Sequence, residues 1–214
     1  MNSTMRFPRI DHLVYACGDL EQGISTISDQ LGVHVVPGGS HPAWGTHNAL
    51  IGLGSSSYLE IIAPDPDASP SERSTPEVFF RDEGAGLTTW AAAVESLPLS
   101  ESRLRRSCPG LGPLIEGSRV TADGTRLSWV LSDPAATVLD GAIPFLIDWG
   151  DSRHPSRMLP DECSLSSILI HHPLVDEVSG VLERLGLLEL VELRSATEFR
   201  ITASIRSPRG LIQI

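Results

Sequence analysis

The stretch IDHLVYACGDLEQGI, residues 10–24, decides how this chain is read. Ile10 to Ala16 is apolar on both faces except at Asp11 and His12, the pattern of a short strand buried inside a sheet. A few residues later the period changes. Asp19 with Gln22 forms a capping box, Leu20, Ile24, Ile27 and Leu31 recur at helical spacing, and Gly32 supplies the left-handed stop. A strand feeding a capped amphipathic helix is the first predicted unit.

Three strands are predicted after it: Val33 to Val36, His47 to Leu53 beyond a Gly/Pro-rich loop, and Ser57 to Ala63 beyond the turn Gly54-Ser55-Ser56. The order is β-α-β-β-β. Pro64 to Glu83 is polar and proline-bearing, which is loop composition. A second run then repeats the order. It has a strand at Leu87 to Val94, a helix around Ser100 to Arg106 bracketed by Pro98 and Pro109, and strands at Pro113 to Thr121, Arg126 to Leu131 and Ile143 to Trp149. A third run opens with a strand at Ser166 to His171. An apolar helical stripe follows, formed by Leu174, Val178, Val181, Leu182 and Leu185 and stopped by Gly186. Strands at Leu187 to Leu193, Phe199 to Ile205 and Leu211 to Ile214 complete it, and its LERLGL echoes ISDQLGV of the first unit. The expected fold class is α+β, with internally repeated β-α-β-β-β modules at 8–64, 87–150 and, smaller, 160–214, a loop at 65–86, and all of them in one compact domain.

Three phrases carry a resemblance: IDHLVYACGDLEQGI at 10–24, GGSHPAWGTHNALIGLG at 38–54 and SYLEIIAP at 57–64. They resemble the glyoxalase-like domain family of the vicinal-oxygen-chelate superfamily, which includes glyoxalases, extradiol dioxygenases and antibiotic-resistance proteins. The resemblance covers about the first third of the chain and continues as architecture and in isolated phrases such as PFLIDWG at 144–150. It implies modules whose mixed sheets curl around a cleft, with a divalent metal held by side chains of the first and last strands of each module. On this chain, His12 and Glu60 match those positions. Their nitrogen and oxygen donors suit Fe, Mn, Ni or Zn, and Glu60 is the expected catalytic base. The second module offers Thr88 or Thr89 and Ile147 or Asp148 where the family places ligands, so a third ligand would come from His41, His47 or Asp148.

Read from the residues alone, His12 among Ile10, Leu13 and Val14 is equally a core histidine paired with Glu60, because a buried charge must be paired or coordinated. The segment Gly38 to Asn48 is either a tight glycine loop or a ligand-lining one, with His41, Trp44, Thr46, His47 and Asn48 as substrate-binding candidates. His171 and His172 point to opposite faces of a strand and do not share a metal, and His154 lies in a polar loop expected to be solvated.

Composition excludes other classes. A net charge of −11 opposes the phosphate backbone, so no nucleic-acid partner is expected. No apolar run approaches the roughly 20 residues that cross a bilayer, and the opening MNSTMRFPRIDH lacks the apolar middle of a secretory signal, so a cytoplasmic, membrane-free protein is expected. Cys17, Cys108 and Cys163 have no C-x-x-C spacing and read as buried thiols, without a nucleophile's partner. There is neither a G-x-S-x-G elbow nor a phosphate-binding loop. The expected partner is a small molecule, and a homodimer is compatible with the chain. The expected activity is metal-assisted chemistry on a small carbonyl or hydroxylated compound; the alternative is a metal-free binding or sequestering protein on the same fold.

Overall fold

Strand β1 (Arg9–Ala16) runs through the middle of the larger sheet, as its two-faced apolar pattern requires. Helix α1 (Leu20–Leu31) follows, capped by the Asp19 carboxylate accepting from Gln22 N–H at 2.8 Å and ended by Gly32 at φ 73°. The structure is a computed structural model describing residues 8–69, 79–80, 84–120, 124–136 and 138–214. Most of the expected 65–86 loop, and Thr121, lie outside the described residues.

Strands β2 (Val36–His41), β3 (Thr46–Gly52) and β4 (Tyr58–Pro64) complete the first module. The structure corrects one element here. Val33 to Val35 are not strand, and the Pro37-Gly38-Gly39 stretch expected as loop is part of β2. Pro37 and the glycines are tolerated because β2 is the sheet's outermost strand, with a register shift between Pro37 and Gly39. A single 3-10 turn at Pro42–Trp44 joins it to β3.

The second module is β5 (Gly86–Ala93), α2 (Leu97–Ser107), β6 (Leu114–Val120), β7 (Arg126–Ser132) and β8 (Phe145–Asp148). Its helix is longer than expected, because Pro98 sits in the first turn, where its missing N–H costs nothing, and so begins the helix rather than bounding it. The two modules form one sheet in the order β2-β3-β4-β1-β5-β8-β7-β6. β1 pairs parallel with β4 and antiparallel with β5, which pairs parallel with β8, so the modules meet through their first strands. The sheet curls until its two outer strands, β2 and β6, touch.

The third segment contains β9 (Ser164–His172), α3 (Val175–Leu185), β10 (Glu192–Ser195), β11 (Arg200–Ser207) and β12 (Gly210–Gln213), in a separate sheet ordered β10-β9-β11-β12. The same sequence of elements is laid out differently here. The strand after the helix, β10, lies parallel beside β9, whereas β2 lies three strands from β1. One apolar cluster joins the segments, with Leu13, Leu59 and Trp90 of the first sheet, Ile27 of α1, Leu104 of α2, Leu182 of α3, and Ile168, Ile170 and Ile201 of the second sheet. Alternation along β1 sends Leu13 and Tyr15 into that cluster and leaves His12 and Val14 on the other face.

Candidate active-site cleft

The face opposite the large core is concave and lines a cleft. Its floor carries His12 from β1, Glu60 and Tyr58 from β4, and Asn48 from β3. Its walls are apolar and aromatic, including Trp44, Trp129, Phe145 and Trp149. The two candidate ligands, far apart in sequence, do meet. His12 Nε2 lies 3.6 Å from Glu60 Oε2, with both side chains nearly buried.

His12 is held from behind by Asp11. Neighbours on a strand ordinarily point to opposite faces, but the pairing of β1 with β5 shifts register between Ile10 and His12, and Asp11 Oδ1 accepts from His12 Nδ1 at 2.7 Å. That bond places the proton on Nδ1 and leaves Nε2 facing Glu60 and the cleft. Tyr58, opposite His12 in the β1–β4 register, stacks on the imidazole with ring centroids 4.6 Å apart. Burial, with the Asp11 and Glu60 charges, holds the Tyr58 hydroxyl well above its ordinary value and hence protonated. Glu60 is fixed by a short hydrogen bond in which Asn48 Nδ2 donates to its Oε1, while Asn48 Oδ1 accepts from Gly39 N–H at 2.9 Å.

Sequence reasoning missed Asp11 as a site residue, and it misplaced His154. Expected to be solvated, His154 is buried. Its Nδ1 accepts from Ser156 N–H at 3.2 Å, and its Nε2 donates to Asp11 Oδ2 at 3.0 Å, the oxygen that also accepts from Trp149 Nε1 at 3.0 Å. Asp11 is itself fully buried. Burial pushes its carboxyl up, but the hydrogen bonds and charges of His12 and His154 outweigh it and hold the pKa at about 2. The available signal was an Asp in an otherwise apolar strand beside the candidate ligand; its partners, about 140 residues away, could not be read.

The other candidates divide. His41, Trp44 and Asn48 line the cleft. Thr46 is buried behind them, hydrogen-bonded to His41 Nδ1 at 3.1 Å, and His47, one residue from Asn48 along β3, is outside the lining. Burial holds His41 below its ordinary value against the opposing Glu60 charge, with the Arg119 charge adding to burial. Asp148 is occupied elsewhere, accepting from Leu97 N–H at the start of α2 and from Gly150 N–H, each at 2.9 Å. In the register of the second module, Thr89 and Phe145 are the counterparts of His12 and Glu60, so that half supplies neither imidazole nor carboxylate. Phe145 replaces the expected Ile147 or Asp148. The three cysteines are buried and unpaired. Burial, aided by Asp19, pushes Cys17 to about 11, and burial also raises Cys108 and Cys163, away from thiolate chemistry.

The donor set can be tested against a divalent metal. His12 Nε2 and Glu60 Oε2 converge, and the Asp11–His12 bond is the usual support of a metal-ligating imidazole. Among the described residues no three His, Cys, Asp or Glu groups converge. The donors that face each other are thus two, one imidazole nitrogen and one carboxylate oxygen, and the remaining positions of any ion would fall to water or ligand oxygens.

Two β-α-β-β-β modules joined through their first strands in one curled sheet are the architecture of the vicinal-oxygen-chelate superfamily. The chain belongs to the glyoxalase-like domain family, whose model matches residues 10–186. Among solved structures, a hypothetical protein from Staphylococcus aureus shares the fold across 95% of this chain and 92% of its own, with a TM-score of 0.67 and 13% identity. Methylmalonyl-CoA epimerase from Mycobacterium tuberculosis aligns with 70% of this chain and 93% of its own, at a TM-score of 0.47 and 24% identity. A Streptomyces coelicolor methylmalonyl-CoA epimerase in complex with 2-nitronate-propionyl-CoA aligns with 67% and 98%, at 0.46 and 20%. No curated protein matches the chain. Among the described residues no helix is long and apolar enough to cross a membrane.

Proposed function

We propose that this chain is an enzyme acting on a small carbonyl or hydroxylated compound bound in the cleft, with His12 and Glu60 as its reacting pair and as the ligands of a divalent ion. The observation that carries the reading is the fully buried Asp11, which spends one oxygen on His12 and the other on His154 and Trp149, so that a single imidazole nitrogen faces a carboxylate 3.6 Å away. A buried carboxylate with three donors is expensive to assemble, and its effect is to orient His12. A bound ion would supply Lewis-acid polarisation of neighbouring ligand oxygens. The chain's own groups do the rest. Glu60, held at Oε1 by Asn48, presents its carboxylate to the cleft as the group that would take and return a proton at a carbon or hydroxyl of the bound compound. The aromatic walls exclude water.

One observation favours a second reading, a metal-free binding protein: Thr89 and Phe145 stand where the second module would complete a ligand set. Metal analysis of untagged protein purified without chelator decides between them. The metalloenzyme reading expects close to one divalent ion per chain, lost in both His12→Ala and Glu60→Ala with folding retained. Metal-free wild-type protein that still binds small molecules would establish the second reading.

A further inference from the structure

Arg119 of β6 is the feature of the cleft that this reading leaves unused. It is half-buried, it is the cleft's sole Lys or Arg among the described lining residues, and its Nη1 is buried without a hydrogen-bond partner among the described residues. The side chain crosses the seam where the two outer strands of the curled sheet meet. A Cβ on Gly39 of β2 would lie 3.7 Å from Nη1, at ordinary contact distance, so the guanidinium lies alongside β2 across the seam. The carboxylates of the site are already committed. Asp11 is saturated by His12, His154 and Trp149, and Glu60 Oε1 is held by Asn48 while Oε2 faces His12 Nε2; among the described residues Arg119 forms no ion pair with either. A guanidinium nitrogen buried without an acceptor is costly, and in a cleft the missing acceptor is naturally a ligand's.

We infer that Arg119 is the anion-recognising residue of the cleft and that the compound it takes is a small carboxylate bearing a neighbouring hydroxyl or carbonyl oxygen, an α-hydroxy or α-keto acid. This rests on the reading of His12 and Glu60 as the reacting pair and adds the substrate class. A planar guanidinium binds a carboxylate through two parallel N–H bonds, which a neutral ester or amide does not match. The aromatic walls accept an apolar substituent on the same molecule, while His12 and Glu60 meet its oxygen-bearing carbon. In a chain with a net charge of −11 and a cleft floor carrying Glu60, an acid needs a local cation in order to enter at all.

The test is calorimetric titration of the full-length protein, as purified, with a panel of α-hydroxy acids from glycolate to mandelate and with their methyl esters. Wild-type protein is expected to bind at least one acid at least 10-fold more tightly than its ester. Arg119→Gln is expected to erase that preference with ester binding unchanged. Arg119→Lys, which keeps the charge and loses the fork, is expected to fall between them. Thermal unfolding is expected to be unaltered or raised in Arg119→Gln, because a structural role would lower it; if that variant fails to fold, Arg119→Lys carries the test. Acids and esters bound alike, no acid bound by wild-type protein, or an acid preference that survives in both variants would overturn the inference. Failure of the reading of His12 and Glu60 appears separately, as metal content indifferent to their removal, whatever Arg119 does.

Discussion

At the scale of single residues, Asp11 matters most, because three donors converge on one fully buried carboxylate. Asp11→Asn keeps the shape but loses the charge, and it is expected to cost about 2–4 kcal/mol in denaturant unfolding at neutral pH. The pH dependence has a definite sign. The folded-state pKa is depressed from 3.8 to about 2, so the stabilisation is present above pH 4 and is lost as pH falls toward 2. It amounts to about 2 kcal/mol. Unfolding curves of wild type and Asp11→Asn are therefore expected to converge across that window, and a gap independent of pH would refute the assignment. His12 and Glu60 were legible in the sequence because their neighbours match a family pattern on identifiable strands. Asp11 was visible only as an anomaly. His154 and Trp149 were hidden, since tertiary proximity across more than 130 residues leaves no trace in local spacing.

At the scale of elements, the curled sheet exists because each module's first strand is apolar on both faces and pairs with its counterpart. α1 was legible in full, since cap, period and stop agree. α2 was only partly so. Its N-cap residue, Ser96, has no capping side-chain bond, and Asp148 from the end of β8 accepts from Leu97 N–H instead, a non-local cap that no sequence rule reports. Asp148→Ala is expected to cost about 1 kcal/mol, a fall in melting temperature of about 2–4 °C for a chain of this length. It is expected to leave metal content untouched; loss of metal in that variant would restore Asp148 as a ligand. β2 escaped because prolines and glycines signal loops unless an outermost strand tolerates them.

At the scale of the whole molecule, the modules are expected to unfold together with the third segment, because Ile168, Ile170 and Leu182 share one apolar cluster with Leu13, Leu59 and Trp90. Ile170→Ala, at a fully buried position remote from the cleft, is expected to lower stability by about 2–5 kcal/mol in a single calorimetric transition. Two transitions, with only one of them shifted, would show that the third segment folds independently. The α+β class and the repeated units were legible because hydrophobic period recurs along the chain. The strand order of the second sheet was not, because the same order of elements supports either a βαβ crossover or the long return used by the first module. The central claim is that this fold brings His12 and Glu60 together to hold a divalent ion. Its most direct test is calorimetric titration of chelator-treated protein with Mn²⁺. One saturable site is expected in wild type, abolished in His12→Ala and in Glu60→Ala and weakened about 10–100-fold in Asp11→Asn; no saturable site, or one indifferent to His12 and Glu60, would contradict the account.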